Sequence, residues 1–540
     1  MIIRKLLYIF LVVVFLLSCV ISIFAQRRGM KSITIDELKV HMNIIGAEEL
    51  LGRNTPSQGL KIASRYLATM IESYGFKPLM PDGSFYQKVP MEIFTVNESR
   101  TKLILSTEYG ERVYHFPDVF GIGGRREPPE GTFSGRVVFV GYGISAKYLE
   151  WDDCADVEGK IVVMLDGYLP REHILSQRRY RNLRRNRAQA AGERGAAAVL
   201  MVISEEREEN FTKNGLLFDN NLNGIFIDDP TPRRDTLKVN QVETILQVDI
   251  RHDVAAAILG ISREKLRGMF KMLSRGEQVP QMELPERNVT ITMHLRKRTG
   301  YTQNVVAYLE GSDPKLKNEY VLYGSHPDHL EAREGRIYIG ADDNISGTVA
   351  MLEIAQATVI ERPKRSIVMV WHTGEEKGMK GSHYFVNNCP VLVEKISAVI
   401  NLDMISRNHP DSLYLVASNI LSTELDESVH KMNDKYNIGL NFDYKYENIN
   451  HPDRFYYRSD HYPYNLFGIP GVWLFCGTTK DYHQVTDTIE SVDFKKMLNV
   501  TKLAYLVGYD IGNKERLLKL DVSPKITTRG EHNIQIQLER

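Results

Sequence analysis

The chain has 540 residues, 43% of them hydrophobic and 25% charged, and its 68 basic side chains balance 68 acidic ones. A chain of that length calls for two or three domains, and that composition supports a full core. Zero net charge removes the basic footprint that a nucleic-acid binder carries.

The N-terminus has Arg4 and Lys5, then the apolar run LLYIFLVVVFLLSCVISIFA, then Gln26-Arg27-Arg28. This is the layout of an export signal over residues 1–25, with Ala25 before the cleavage point. Two other readings stay open. LLSC ending at Cys19 resembles a bacterial lipoprotein box, and about 20 apolar residues suffice to span a bilayer uncleaved. All three place the rest of the chain outside a bacterial cytoplasm, as a periplasmic, outer-membrane-attached or secreted protein. Cys154, Cys389 and Cys476 have no CxxC spacing, so neither a zinc ribbon nor a disulfide framework is indicated.

Residues 35–75 have helical apolar spacing, with Gly75 as a stop signal. From about 130 to 255, short glycine-bounded runs such as SGRVVFVGYGI and GKIVVMLDGY read as strands. The arginine-rich segment REHILSQRRYRNLRRNRAQAAGERG interrupts them. Acidic residues follow at Glu205, Glu206, Glu208 and Glu209, so a solvated helix face is expected there rather than an anion-binding patch. From about 288 onward strands alternate with helices: EYVLYGSH, SGTVAMLEIAQATVIER with Ser346 as N-cap, SIVMVWHTG, KGMKGSHYFVNN, ISAVINLDMIS, LSTELDESVHKMNDKYN, PGVWLFCG and a last helix from Val492. That alternation predicts an α/β fold with a mostly parallel sheet flanked by helices.

Chemistry-bearing residues gather just past the carboxyl ends of these strands, where open α/β sheets bind ligands. His326 and Asp328 follow one strand, Glu375 and Glu376 a second and Asp403 a third; His483 lies in the loop after a fourth. Asp342 and Asp343 lie in the turn before a helix. Each element alone is weak, because paired glutamates are usually solvated and Asp-Asp-Asn is a common turn. Together, imidazoles and carboxylates without thiolates suit zinc. Two metals need a bridging carboxylate, and one of two adjacent glutamates is then free to act as a base.

The segments GSHPDHL, GADDNISGTVAMLEIA, GEEKGMKGSHYF, NLDMISRN, SDHYPYNLFGIP and DYHQVTDTIESVD resemble, in order and spacing, the motifs of the M28 family of zinc peptidases. VGYGISAKYLEWDDCADVEGKIVVMLDG and ERGAAAVLMV are similar to a protease-associated (PA) domain, often inserted in that family. The resemblance implies a zinc-exopeptidase fold with a β-rich insert over 109–287. Around it lie an N-terminal part at 33–108, a catalytic part at 288–515 and a tail at 516–540. It implies two Zn²⁺ per chain, one on His326 and Asp403, the other on Glu376 and His483, with Asp343 as bridge. Glu375 would be the general base toward a metal-bound water. Asp328 would accept a hydrogen bond from the far nitrogen of His326. The family often has a cis peptide after its bridging aspartate, here Asp343–Asn344. The implied activity is removal of N-terminal residues from peptides. A carboxypeptidase or dipeptidase, a glutaminyl-cyclase-like transferase and a non-catalytic binding protein stay as alternatives. Arg458 and Arg407 are candidates to hold a substrate carboxylate. Tyr462, Tyr464, Phe467, Trp473 and Phe475 could line a side-chain pocket, although core roles are expected for Trp473 and Phe475.

Overall fold

The computed structural model describes residues 28–123, 128–149, 151–154, 156–177, 180, 183–184, 186–218, 225–227, 245–522 and 528–531. The export segment, parts of the arginine-rich run and most of the tail lie outside the described residues.

The strands Ser366–Trp371, Tyr320–Ser325, Ile396–Leu402 and Gly471–Phe475 lie side by side in that order, all parallel. Nearly every residue in them is buried, which is why they read as continuous apolar runs without alternation. The flanks depart from the expected parallel order. Leu295–Leu309 and then Tyr86–Val96 extend one side antiparallel, and Ser412–Val416 pairs antiparallel with Gly471–Phe475 on the other. One face packs on the helices Ile35–Ile45, Gln58–Ser73, Gly347–Ile360, Thr423–Tyr436 and Phe494–Asn513. The other packs on Lys380–Asn387 and His461–Asn465.

A second sheet has eight strands, of which Lys102–Thr107 is the first and Met282–Met293 the last in chain order. Those two strands lie side by side inside the sheet, and both include residues outside 109–287. Ile225–Phe226, from the middle of that range, pairs instead with Tyr86–Val96 of the first sheet. The described part of the arginine-rich run is structural. Arg187 donates to the carbonyls of Tyr142 and Leu165, and Arg194 pairs with Asp152. The acidic stretch forms the first turn of the helix Glu205–Asn214, where negative charge favours the helix dipole.

The helix Gly347–Ile360 is enclosed on almost all sides and carries a charged residue, Glu353, into the core. Glu353 Oε2 accepts a hydrogen bond from the backbone N–H of Thr34 at 3.0 Å. Burial, with nearby Glu37, pushes its carboxyl up to about 8, against that one bond. A folded-state value above the unfolded one means the native state holds the proton between about pH 4.5 and 8, so stability falls as pH rises through that window. Glu353→Gln removes this loss. Melting curves should show a gain over the wild type at pH 9, bounded above by about 5 kcal/mol, and none at pH 4. Equal melting behaviour of the two proteins across that range would show that Glu353 does not titrate there.

Candidate metal centre

All the candidate ligands but Asp343 emerge at the carboxyl edge of the four parallel strands. His326 follows Ser325 directly and Asp403 follows Leu402 directly. Glu375 and Glu376 lie in the turn after Trp371, and His483 in the loop after Phe475. Asp343 comes in from the side, in a tight turn ahead of the helix Gly347–Ile360. The Asp343–Asn344 peptide there is cis.

Neighbours far apart in sequence set the shape of that turn. The carboxylate of Asp487 accepts from the backbone N–H groups of Asp342 and Asp343 at 2.9 and 3.1 Å. Asn344 Nδ2 donates to Ser325 Oγ and to the Leu402 carbonyl, while its Oδ1 accepts from the N–H groups of Gly347 and Met404. One side chain thereby ties two strand ends to the turn that holds Asp343. Two glycines permit the close approach. A Cβ on Gly347 would lie 2.1 Å from the Leu402 carbonyl oxygen, and one on Gly340, at φ +62°, 2.2 Å from the Asp343 oxygen. Ser346 does not act as the expected side-chain N-cap. Its hydroxyl donates back to the Asp342 carbonyl and accepts from the N–H of Ile405, which locks the turn rather than the helix end.

Two groups of ligand atoms result, and they share Asp343. Its Oδ1 lies 3.6 Å from His326 Nε2, which is 3.4 Å from Asp403 Oδ1. Its Oδ2 lies 3.0 Å from His483 Nε2, which is 3.1 Å from Glu376 Oε2. His329 completes the second group, its Nδ1 donating to Glu376 Oε1 at 2.8 Å and lying 3.9 Å from Asp343 Oδ2. Glu375 belongs to neither group, and its Oε2 stands 3.8 Å from His326 Nε2. Among the described residues, the donor atoms His326 Nε2 and Asp403 Oδ1 are buried and have no hydrogen-bond partner. Buried polar atoms are normally paired, so this nitrogen and oxygen set fits divalent zinc.

The two adjacent glutamates are driven in opposite directions. Burial raises the Glu375 carboxyl well above the usual range, His326 opposes this, and Asp403 and Glu376 add to it. Burial would also raise Glu376, but hydrogen bonds from His329 and His483 hold it well below the usual range. Burial would lower His483, yet its bonds to Asp343 and Glu376 push it up to about 10. Paired acids whose environments separate them in this way divide into a permanent anion and a proton-transfer group.

Asp328 is placed differently from expectation. The nearest acceptor for His326 Nδ1 is the backbone carbonyl of Asp328, at 3.1 Å, with the carboxylate at 3.9 Å. The Asp328 carboxylate instead accepts from Thr55 Oγ1 and from the N–H of Glu375, so it orients the base-bearing turn. His329 was not among the sequence candidates; its signal is a second histidine three residues after His326 at the same strand tip. Ser459 was also missed. Its hydroxyl donates to Asp403 Oδ2 at 2.5 Å and fixes that carboxylate.

A cleft of about 260 Å³ opens over the cluster. Met404, Phe455, Tyr457, Trp473, Phe475 and Tyr482 form its apolar wall, and Arg458 lines it as well. Trp473 and Phe475 therefore serve the cleft as well as the core. Tyr462, Tyr464 and Phe467 pack in the core behind it. Arg407 faces away, paired with Asp481 at 2.6 Å.

A sheet-edge cluster of histidines and carboxylates around one shared aspartate, under an apolar cleft, is an arrangement that can hold divalent metal beside a free carboxylate. Residues 304–507 match the sequence profile of peptidase family M28. The chain is 34% identical over 182 residues to leupeptin-inactivating enzyme 1 of Streptomyces exfoliatus, covering 33% of this chain and 36% of that protein. It is 29% identical over 227 residues to the protein named "Probable leucine aminopeptidase 2" of Aspergillus fumigatus, covering 41% of each. The matched segments thus span about two fifths of these curated relatives' length. The crystal structure of BSAP, a zinc aminopeptidase from Bacillus subtilis, superposes with a TM-score of 0.54 at 18% identity, covering 91% of this chain and 99% of that one. At that identity the likeness speaks for the fold.

Proposed function

We propose that the chain is a co-catalytic zinc aminopeptidase that releases N-terminal residues from peptides. The observation that carries this reading is Asp343, which offers one carboxylate oxygen to each of two ligand groups beside the unligated Glu375. His326, Asp403 and Asp343 would hold one zinc. Glu376, His483 and Asp343, with His329 beside them, would hold the other. Zinc bound there polarises a scissile carbonyl and makes an attacking water acidic.

The protein's own groups do the rest. Glu375 takes the proton from the water as its oxygen adds to the carbonyl carbon, then returns it to the amine nitrogen as the C–N bond breaks. Glu376, kept anionic by two imidazoles, does not compete for that proton. The aromatic wall takes the side chain of the residue released, and a volume near 260 Å³ suits one side chain better than a long segment.

The anionic cluster would attract the free α-amine of a substrate. The test is zinc content together with hydrolysis of matched free and N-acetylated peptides. About two zincs per chain and cleavage only of the free peptides are expected. Cleavage of both series alike would overturn the aminopeptidase reading. A second reading, for short peptides held by their C-terminal carboxylate, has one observation in favour. Arg458 lines the cleft, held by the Tyr482 hydroxyl at 3.0 Å. It predicts that C-terminal amidation of a dipeptide lowers turnover.

The second unit is read as a PA-like insert, supported by its separate core and by the sequence likeness noted above. Export is proposed on the strength of Arg4, Lys5 and the apolar run that follows. No described helix is long and apolar enough to cross a membrane.

A further inference from the structure

The residues that join two sides of the metal cluster form a hairpin reaching toward the second unit. It runs from His329 to Asp343, and its tip is closed by reciprocal backbone hydrogen bonds between Arg333 and Arg336. Its base is fixed within the peptidase unit by Arg53, which is fully buried. Arg53 donates to the carbonyls of Pro327, Ile45 and Ile339 at 2.8, 3.0 and 2.8 Å. Its tip is held by the second unit. Glu334, at φ +55°, receives Arg207 Nε at 2.9 Å and Arg207 Nη2 at 2.5 Å. Asn210 Nδ2, one turn further along the same helix Glu205–Asn214, donates to the Glu334 carbonyl at 2.7 Å. Glu206 pairs with Arg336 at 3.2 Å. Three residues of one helix thus grip one hairpin.

Arg207 is anchored on its own side. Asp249, at the end of the strand Gln247–Ile250, lies 3.0 Å from its Nη1, and Asp166 lies 3.7 Å away. Arg207 and Glu334 are 16% and 11% exposed, so this is a largely buried ion pair between units, not a surface contact. A bidentate arginine fork fixes direction as well as distance. Without it the tip keeps the Asn210 and Glu206 contacts, neither of which is an arginine fork. The two ligands at its ends, His329 and Asp343, belong to the same ligand group.

We propose that Arg207 is a positioning residue for the second zinc subsite, so that docking of the second unit and metal binding there are energetically linked. This rests on the two-zinc reading of the cluster. Linkage is reciprocal, so metal binding should tighten the helix Glu205–Asn214 on the hairpin as much as the helix tightens the site.

The test is a metal titration of the full chain against a chromophoric chelator, for wild type, Arg207→Met and Glu334→Asn. Asparagine suits the left-handed backbone at 334 yet is too short to reach Arg207, and it leaves Arg207 paired with Asp249. Should Arg207→Met fail to fold, Glu334→Asn still decides. His483→Ala identifies which binding step belongs to the second subsite. The expected result is a weakening of that step by about 2–30-fold, the range for a residue that acts on a site without touching its ligands. The other step and the melting temperature of the metal-free protein should change little. The double variant should bind no more weakly than either single one. In the wild type, zinc should slow amide exchange over residues 205–214, and in Glu334→Asn it should not.

Affinities equal to those of the wild type at both steps would overturn the proposal. So would equal weakening of both steps with a lower metal-free melting temperature, which marks general loosening. A wild type that binds no zinc would overturn the two-zinc reading instead.

Discussion

Glu375→Gln should lower kcat by about 10²–10⁴-fold, the span that a positioned general base contributes, while zinc content and KM stay close to those of the wild type. The substitution is isosteric, and Glu375 belongs to neither ligand group, so no donor atom is lost. The turn that carries it is also retained, because Asp328 holds the backbone N–H of residue 375 and not its side chain. The carboxylate is buried among Asp403, Glu376 and Asp460. Replacing it with a neutral amide relieves like-charge repulsion, and the metal-free variant should melt no lower than the wild type. Steady-state kinetics on one free peptide, with a metal assay on the same sample, would show all of this. A kcat near that of the wild type would remove Glu375 from the chemistry.

Asp343→Asn is the second large effect, with the opposite signature: binding fails before chemistry does. Asp343 supplies an oxygen to both ligand groups, so one substitution weakens two sites. The loss should exceed the 10–100-fold that removal of an outer partner costs. Without metal the site holds several carboxylates in a buried space, so neutralising one should not destabilise the metal-free fold. What disappears is the stabilisation by zinc, about 2.7 kcal/mol for a ligand at a hundred times its Kd. Thermal melts with and without zinc separate the two contributions. The wild type should gain with metal and Asp343→Asn should not. A variant that still takes up two zincs and keeps its activity would show that Asp343 is not the bridge.

Much of the site is legible in the sequence for a physical reason. A buried parallel strand is an apolar run, and the first polar residues after it stand at the ligand-binding edge. His326 and Asp403 follow their strands directly, and Glu375 and Glu376 stand one short turn away. The rest depends on contacts between segments that are distant in the chain. Asp487 receives backbone N–H groups from a turn about 145 residues earlier, and nothing near Asp487 signals it. The carboxylate of Asp328 turns toward Thr55, which lies 273 residues away, and away from the imidazole two residues before it. Trp473 and Phe475 have the same local signature whether a strand faces a core or a cleft. The extent of the second sheet is not legible locally, because Lys102–Thr107 and Met282–Met293 reveal their common sheet only by pairing with each other.

The measurement that tests the central claim most directly is anomalous diffraction at the zinc edge from crystals grown with zinc. Two peaks about 3.5–4 Å apart are predicted, one on each side of the Asp343 carboxylate, with Glu375 bound to neither. A single peak, or a pair not bridged by Asp343, would contradict the account.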